Sequence, residues 1–256
     1  MIENYIFDLY GTLLKIHTDQ NKPQVWKTIR RRYALSGALW TREGMKRAYY
    51  RFCEEEEDKL RNERILYPEI DLKTVFERLY DEAPVHFRRA DSSVNDEWIA
   101  ESASLFRTAS REIFEPYRNT MYVLHELKKQ KKGVWLLSNA QTLFTLEELK
   151  MTGLYDLFDG IYISSEKGIR KPQKEFMEAM LEEYGIQKET AVMIGNDIAA
   201  DIGIAAQCGV PSVFLNTDGY TAEEIRDQLK KTVPDPSCKV RIIMIGDIAE
   251  LLNTGE

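Results

Sequence analysis

The chain of 256 residues has little cysteine and little histidine, with three of each. Cys53, Cys208 and Cys238 are far apart, and no Cys-x-x-Cys pair occurs, so the sequence predicts neither a zinc site nor a disulfide framework. Scattered cysteines in odd number indicate a reducing compartment. No apolar run approaches the ~18 residues of a membrane span, and Met1-Ile2-Glu3-Asn4 has no basic segment typical of a signal peptide. We therefore expect a cytoplasmic protein.

Positive charge is in the minority, with 35 Lys and Arg against 42 Asp and Glu, a formal net charge of -7. Nucleic acids and anionic membranes attract excess positive charge, so we expect neither as a general partner. Glycine-rich nucleotide loops, a Gly-x-Ser-x-Gly turn and a His-Glu-x-x-His pair are also absent. The composition, 43% hydrophobic and 30% charged, predicts one large globular domain or a domain with an insertion.

Hydrophobic patterning divides the chain into two kinds of segment. Between residues 20 and 115, apolar residues such as Trp26, Ile29 and Tyr33 recur at helical spacing, which predicts an all-helical insert of four or five helices. Elsewhere, short apolar runs alternate with helical patterns, which predicts an α/β fold with a doubly wound parallel sheet. The core comprises residues 1–15 and 116–256, and the helical domain comprises residues 16–115. The predicted strands are 5–7, 133–138, 160–164, 191–194, 211–215 and 240–245. The predicted helices are 116–131, 142–151, 173–184, 199–208, 222–230 and a last one ending at 252.

Polar residues follow several of the predicted strands, at the edge where parallel sheets bind ligands. Asp8 is a carboxylate that can act as a nucleophile. Thr12 and the free N–H groups of its loop can bind phosphoryl oxygens. Ser138 can donate a hydrogen bond, Asn139 can orient the site, and Lys171 supplies a positive charge suited to phosphate.

Two acids follow the strand at 191–194. Asp197 and Asp201 are four residues apart, a spacing that can bring both to one point at a strand–helix junction. Carboxylates with other oxygen ligands suit Mg²⁺. A metal ion also allows an anionic nucleophile to attack an anionic phosphoryl group.

These pieces, taken in order, resemble the haloacid dehalogenase-like hydrolase superfamily. The four segments that carry the resemblance are Asp8-Leu9-Tyr10-Gly11-Thr12-Leu13, Leu137-Ser138-Asn139, Lys171-Pro172 and Gly195-Asn196-Asp197-x-x-x-Asp201. The helical insert directly after the first segment resembles the helical cap of that family. The resemblance implies a Rossmann-like core, with a cap that opens and closes on hinges near 14–22 and 112–118.

The resemblance also implies a role for each motif position. Asp8 would form an aspartyl intermediate, and Lys171 would neutralise charge between nucleophile and substrate. The group being transferred would be held by Tyr10, Gly11, Thr12, Ser138, Asn139 and Lys171. Mg²⁺ would be held by Asp8, the backbone carbonyl of Tyr10 and an acid of the fourth motif. We favour Asp197 as that acid. Asp201 would either bind the metal as well or support its ligands without touching it.

Two positions depart from the family's phosphatases. Tyr10 stands where they have a second Asp, which protonates the leaving alcohol, and a Tyr there is typical of the metal-independent 2-haloacid dehalogenases. Asn196 stands where many have their first Asp, so the ligand register is open by one residue, but the pair Asp197 and Asp201 favours a metal. Our first hypothesis is therefore an Mg²⁺-dependent hydrolase of small phosphate esters.

Two alternatives remain. The first is a 2-haloacid dehalogenase, which would need an insert arginine for the substrate carboxylate, with Arg30, Arg31, Arg32, Arg42 and Arg47 as candidates. The second is a binding or regulatory member with weak turnover. The sequence predicts a small-molecule partner but not the oligomeric state.

Overall fold

The computed structural model describes residues 1–87, 94–233, 235 and 237–253. The strands assigned there are β1 (Asn4–Phe7), β2 (Leu14–Thr18), β3 (Ala38–Leu39), β4 (Val85–His86), β5 (Arg111–Pro116), β6 (Gly133–Ser138), β7 (Gly160–Ile163), β8 (Ala191–Gly195), β9 (Ser212–Leu215) and β10 (Val240–Ile243). The α-helices are α1 (Pro23–Leu35), α2 (Arg42–Leu60), α3 (Leu72–Asp81), α4 (Asp96–Ser110), α5 (Thr120–Lys129), α6 (Thr142–Thr152), α7 (Ser164–Lys167), α8 (Lys174–Glu183), α9 (Gly203–Cys208) and α10 (Ala222–Thr232).

Six strands form one sheet in the order β10-β9-β8-β1-β6-β7, and each neighbouring pair is parallel. After β1 the chain builds one side of the sheet with β6 and β7, then returns to the other side of β1 with β8. The carboxyl ends of β1, β6 and β8 therefore meet where the winding direction switches, the place where such sheets bind ligands. The predicted α/β fold with a doubly wound parallel sheet is confirmed.

The sheet is covered on both faces, which explains the continuous apolar runs of its strands. Successive side chains of a strand point to opposite faces. Phe7 belongs to a buried cluster with Val123 of α5, whereas Ile6 belongs to a second cluster with Phe176 of α8.

The helices α1 to α4 have an apolar core of their own, and we call the segment that carries them the insert. One large aromatic from each helix is fully buried in it, namely Trp26, Phe52, Phe76 and Phe106. Phe144 of α6 joins this cluster, so the insert packs against the core helix that follows β6. Four α-helices are described in this segment, where the sequence predicts four or five.

The expectation of an all-helical insert is wrong, because the segment also contains short strands. β2 pairs with β5 in an antiparallel ribbon, with Leu14 opposite Pro116, and β3 pairs with β4. These strands are short and partly exposed, so they form no apolar run, and their partners lie far away in sequence. The ribbon crosses both predicted domain boundaries, at 15/16 and at 115/116. The division at these boundaries and the hinges near 14–22 and 112–118 stay proposals.

Three predicted helices differ from the structure. Pro116 ends β5 rather than beginning a helix, and α5 starts only after Asn119, whose left-handed backbone (φ 67°) separates the two elements. The helix predicted over 199–208 opens with a π-helical turn at Ile198–Ile202, and the last helix is a 3₁₀ turn at Ile248–Leu252. π-helical turns occur often at functional sites. Within the described ranges, no helix combines the length and the apolar character needed to cross a membrane.

Candidate active site

The carboxyl ends of three neighbouring strands bring the motif residues together. Asp8 directly follows β1, Ser138 is the last residue of β6, and Gly195 is the last residue of β8. Because β1 pairs with both β6 and β8, the loops after these strands face one another. Lys171 enters the same space from the loop that follows α7.

Lys171 is the centre of the site. Its Nζ atom lies 2.7 Å from Asp8 Oδ1 and 2.7 Å from Asp201 Oδ1, and it also donates to the carbonyl of Leu137 at 2.9 Å. The residue is only 3% exposed. All three ammonium protons are therefore used, and the two acids are held on either side of one cation.

The charges in this cluster do not balance. Burial by itself would lower the pKa of Lys171, but Asp201 and Asp8 raise it, so the amine stays charged. Burial is the largest cause of the raised pKa of Asp201, and the charge of Asp8 adds to it, while Lys171 opposes both. When both carboxylates are ionised, one negative charge has no partner, which is unfavourable in a place shielded from water and raises the pKa of Asp201 to about 7.

Two hydroxyls contact Asp8, and one side-chain amide binds the backbone of Lys171. Ser138 Oγ donates to Asp8 Oδ1 at 3.4 Å, and Thr12 Oγ1 lies 3.3 Å from Asp8 Oδ2. Asn139 bonds Lys171 twice, since its Nδ2 donates to the Lys171 carbonyl at 3.0 Å and its Oδ1 accepts from the Lys171 amide at 2.8 Å. Asn139 thus fixes the loop that delivers the lysine.

The two acids of the fourth motif have different surroundings. Asp197 is exposed, and its Oδ1 accepts a hydrogen bond from the amide of Ala200 at 2.9 Å as the cap of the π-helical turn. Asp201 is 1% exposed, and its Oδ2 accepts from the amide of Asp197 at 3.0 Å. Asp201 is the one that shares Lys171 with Asp8, although we favoured Asp197 as ligand from the sequence. Which acid binds a metal stays a prediction.

Two glycines make room for this arrangement. A Cβ on Gly195 would lie 2.1 Å from Asp201 Oδ2, so the buried carboxylate is seated on bare backbone. Gly11 has φ +87°, and a Cβ there would lie 2.4 Å from the side chain of Asn196. Asn196 also lies 3.1 Å from Thr12 Oγ1, so the loops of the first and fourth motifs are packed together.

Tyr10 does not direct its hydroxyl toward Asp8. The phenol donates to Glu148 Oε2 and lies 3.1 Å from Thr145 Oγ1, both on α6. Burial and then the charge of Glu148 raise the pKa of Tyr10, so the hydroxyl stays protonated. The carboxylate of Glu148 also binds Arg107 and Arg111. Sequence reasoning missed these three charged residues, because an acid within a helix and two arginines about 40 positions away carry no motif.

A second contact between insert and core was also missed. The side-chain oxygen of Gln173 accepts from the amides of Leu66 and Tyr67 at 3.0 and 3.2 Å, and that of Gln141 accepts from the amide of Leu72 at 2.9 Å. These two glutamines fix the loop between α2 and α3 beside the site. Gln141 lies two residues after Asn139, and Gln173 lies two residues after Lys171. This closeness to motif residues is the signal by which the sequence could have indicated them.

The motif residues surround a cavity of about 170 Å³. It is lined by Asp8, Tyr10, Asn139, Lys171, Asn196, Asp197, Ala200 and Asp201. Thr12 and Ser138 reach it through their contacts with Asp8. The five insert arginines that the dehalogenase hypothesis considered are not among the lining residues; Arg32 binds Glu101, and Arg42 binds Glu43.

The donor set of this cavity fits Mg²⁺. The described residues contain no cluster of three or more His, Cys, Asp or Glu side chains for a metal. Mg²⁺ does not need one, because it is usually bound by one or two carboxylates together with water and substrate oxygens. Asp8 and Asp201 are such a pair, and their surplus negative charge is what a bound cation would compensate.

Known proteins are similar to this chain in sequence. A family model described as haloacid dehalogenase-like hydrolase matches residues 2–209. The chain is 30% identical over 139 residues to a glyceraldehyde 3-phosphate phosphatase of Methanothermobacter thermautotrophicus, covering 54% of this chain and 58% of that protein. It is also 30% identical over 112 residues to the pyrimidine 5'-nucleotidase YjjG of Escherichia coli, covering 43% and 49%. The chain spans about half the length of the curated relatives it matches.

Solved structures share the fold over the whole chain. A 2-haloacid dehalogenase from Pseudomonas syringae has a TM-score of 0.62 at 20% identity and covers 99% of each chain. A phosphatase from Thermococcus onnurineus has a TM-score of 0.57 at 18% identity and covers 100% of this chain and 99% of its own. The four motifs, their meeting at the sheet edge and the match over residues 2–209 lead to one conclusion: the chain belongs to the haloacid dehalogenase-like hydrolases.

Proposed function

We propose that the protein is an Mg²⁺-dependent hydrolase of small phosphate esters that works through an aspartyl-phosphate intermediate on Asp8. The observation that carries the proposal is the sharing of Lys171 by Asp8 and Asp201, which leaves a buried negative charge beside the nucleophile. A divalent cation would compensate that charge and keep both carboxylates ionised.

The side chains around Asp8 have separate tasks in this reaction. A carboxylate oxygen of Asp8 attacks phosphorus, the bond to the ester oxygen breaks, and water later hydrolyses the aspartyl phosphate. Lys171 orients the carboxylate and neutralises charge between nucleophile and substrate, and Ser138 and Thr12 provide hydrogen bonds to the phosphoryl oxygens. Asp8, the carbonyl of Tyr10 and Asp201 would hold the metal, with Asp197 beside them. The bound metal would offset the negative charge that nucleophile and phosphoryl group bring together.

The leaving alcohol receives no proton from Tyr10, because its hydroxyl is bound to Glu148 and stays protonated. Loss of a positioned acid or base slows a reaction by roughly 10²–10⁴-fold. We therefore expect slow turnover of alkyl phosphates and faster turnover of esters with good leaving groups. The cavity of about 170 Å³ favours a small substrate, since pockets for larger ligands begin at roughly 300 Å³.

The names of the curated relatives support the same reaction class, since they act on phosphates of small metabolites. The three cysteines are unpaired, and with the acidic composition this supports the cytoplasm as the compartment. We expect a small-molecule substrate rather than a nucleic acid.

A 2-haloacid dehalogenase is the second candidate, and Tyr10 is the observation in its favour. A halide leaves without a proton, so the missing acid would not matter. Against it stand the surplus negative charge beside Asp8 and the positions of the candidate arginines, none of which lines the cavity.

The test is the hydrolysis of p-nitrophenyl phosphate with Mg²⁺ and with EDTA. The leaving group needs little acid assistance, so we expect turnover that requires the metal. Asp8→Asn should reduce it by at least about 10⁴-fold. Asp227→Asn, the same change at an exposed acid of α10, is the matched control and should behave as wild type. Absence of turnover in both conditions would contradict the proposal, and chloride release from 2-chloropropionate without metal would establish the alternative.

A further inference from the structure

Glu148 is a buried acid that the reaction described above does not use. It lies on α6, is 2% exposed and accepts four hydrogen bonds. Tyr10 donates its hydroxyl proton to Oε2, and Arg107 donates to Oε1 at 2.7 Å and to Oε2 at 3.1 Å. Arg111 donates to Oε1 at 3.3 Å. A carboxylate has about four lone-pair sites, so Glu148 has no capacity left for a ligand or a proton transfer.

The three partners of Glu148 come from three different segments. Tyr10 lies in the turn that follows the nucleophile. Arg107 lies near the end of the insert helix α4, and Arg111 is the first residue of β5, the strand that leads back to the core. The Arg107 guanidinium also lies over the Tyr10 ring, 5.4 Å from its centre. One core carboxylate therefore connects the nucleophile's turn with the exit of the insert.

Two hydrogen bonds fix the turn at Gly11. The amide of Gly11 donates to the carbonyl of Leu14 at 2.8 Å, and Thr217 Oγ1 donates to the Gly11 carbonyl at 2.6 Å. Along the chain, Tyr10 stands between Asp8 and these fixed points. The hydrogen bond from the Tyr10 hydroxyl to α6 holds the part of the turn that those two bonds leave free, and this part carries the Tyr10 carbonyl, an oxygen that the proposed function assigns to the metal.

We propose that Glu148 is a positioning residue for the metal site. By holding the Tyr10 hydroxyl it sets the position of the Tyr10 carbonyl, and through Arg107 it makes that position depend on the seating of the insert. The inference rests on the proposed function, because it concerns the same metal site. It also gives Tyr10 a structural role in place of acid catalysis, because its side chain connects the turn after the nucleophile to α6.

The test is Tyr10→Phe, which removes the hydroxyl and leaves Glu148 paired with both arginines. Tyr33→Phe is the matched control, because the Tyr33 hydroxyl likewise donates a hydrogen bond, to the carbonyl of Phe76 in the buried core of the insert. Mg²⁺ affinity is measured by calorimetry, with p-nitrophenyl phosphate kinetics beside it. We expect Tyr10→Phe to bind Mg²⁺ about 10-fold more weakly, the scale for loss of a group that orients a metal ligand. Tyr33→Phe should bind it as wild type does.

Two further variants examine the connection. Glu148→Gln should weaken Mg²⁺ binding in the same direction, and in the double variant with Tyr10→Phe the two effects should not add, because they break one contact. Arg107→Lys, which keeps the charge and loses the paired geometry, should produce a smaller loss of the same kind.

The outcomes separate this inference from the proposed function. If wild type binds Mg²⁺ and hydrolyses the ester while Tyr10→Phe matches Tyr33→Phe in Mg²⁺ affinity, the positioning role is overturned and the proposed function stands. If wild type neither binds Mg²⁺ nor turns over, the proposed function fails, and the inference fails with it. Glu148→Gln leaves two arginines without their acid and is prone to unfolding, but the Tyr10→Phe result decides without it.

Discussion

Two charge clusters lie on either side of the turn that contains Tyr10, and they are built in opposite ways. At the sheet edge, one lysine is shared by two acids, Asp8 and Asp201. On α6, one acid is shared by two arginines, Arg107 and Arg111. The first cluster has a surplus negative charge and the second a surplus positive charge.

The difference in burial decides what each surplus means. The side chains of Lys171 and Asp201 are each 1% exposed, whereas those of Arg107 and Arg111 are 16% and 17% exposed. An arginine that reaches water can leave its charge partly solvated, so the second cluster needs no further partner. A carboxylate without access to water cannot, so the surplus charge of the first cluster favours the binding of a cation. A surplus of one charge therefore favours a ligand site at the sheet edge, whereas on α6 it accompanies a structural contact.

The largest expected effect comes from removing the shared residue of the negative cluster. Lys171→Met leaves two buried carboxylates facing each other, and we expect a loss of about 3–5 kcal/mol in the free energy of unfolding. Mg²⁺ should restore part of that loss, since a ligand that binds only the folded state stabilises it. Urea unfolding with Mg²⁺ and with EDTA measures both.

Arg111→Met is the comparison on the positive side. It removes the surplus charge and leaves Glu148 paired with Arg107, so we expect a loss of only about 1 kcal/mol, the same with and without Mg²⁺. Equal losses for Lys171→Met and Arg111→Met, or a response to Mg²⁺ in Arg111→Met alone, would break the comparison.

A smaller effect is expected when the seat of Asp201 is changed. In Gly195→Ala the new methyl would lie 2.1 Å from Asp201 Oδ2, so the carboxylate must move. We expect Mg²⁺ affinity to fall by about 10–100-fold, as when the surroundings of a metal ligand are disturbed. Titration calorimetry measures it.

Gly133→Ala is the matched control for that change. Its Cβ would lie 2.5 Å from the Asn4 side chain at the start of β6, away from the carboxyl edge of the sheet. Overpacking of this kind lowers stability by roughly 1–3 kcal/mol, and we expect no change in Mg²⁺ affinity. A loss of affinity in Gly133→Ala as large as in Gly195→Ala would show that general destabilisation is the cause.

The smallest effect is expected at Asp197. Its carboxylate is exposed and caps the π-helical turn, and Asn is an equally good cap. Asp197→Asn should therefore keep the fold and weaken Mg²⁺ binding less than Gly195→Ala does. A loss of Mg²⁺ binding in Asp197→Asn greater than in Gly195→Ala would restore Asp197 as the principal ligand, as the sequence led us to favour.

The sequence predicted the sheet and the edge where the motifs meet, because buried parallel strands are apolar runs and their carboxyl ends share an edge. That is why the sequence alone places Asp8, Ser138 and Asp201 at this edge. The β2–β5 ribbon could not be predicted, since its pairing depends on contacts about 100 residues apart and its side chains are half exposed.

The hydrogen bonds of the Tyr10 hydroxyl likewise could not be predicted from the sequence. The motif pattern showed that an acid was missing at position 10, but not where the phenol would point. Its direction is set by Glu148 and Thr145, two polar residues on the buried side of α6 that no periodicity singles out. Tertiary contacts between a helix, an insert and a turn decide such positions, and one sequence does not contain them.

The most direct test of the central claim is calorimetric titration of Mg²⁺ into wild type, Asp201→Asn and Arg111→Met. If the surplus negative charge beside Lys171 forms the cation site, wild type binds one Mg²⁺ per chain and Arg111→Met does the same. Asp201→Asn, which removes that surplus, binds it at least about 10-fold more weakly. Undiminished binding by Asp201→Asn, or no binding by wild type, would contradict the claim.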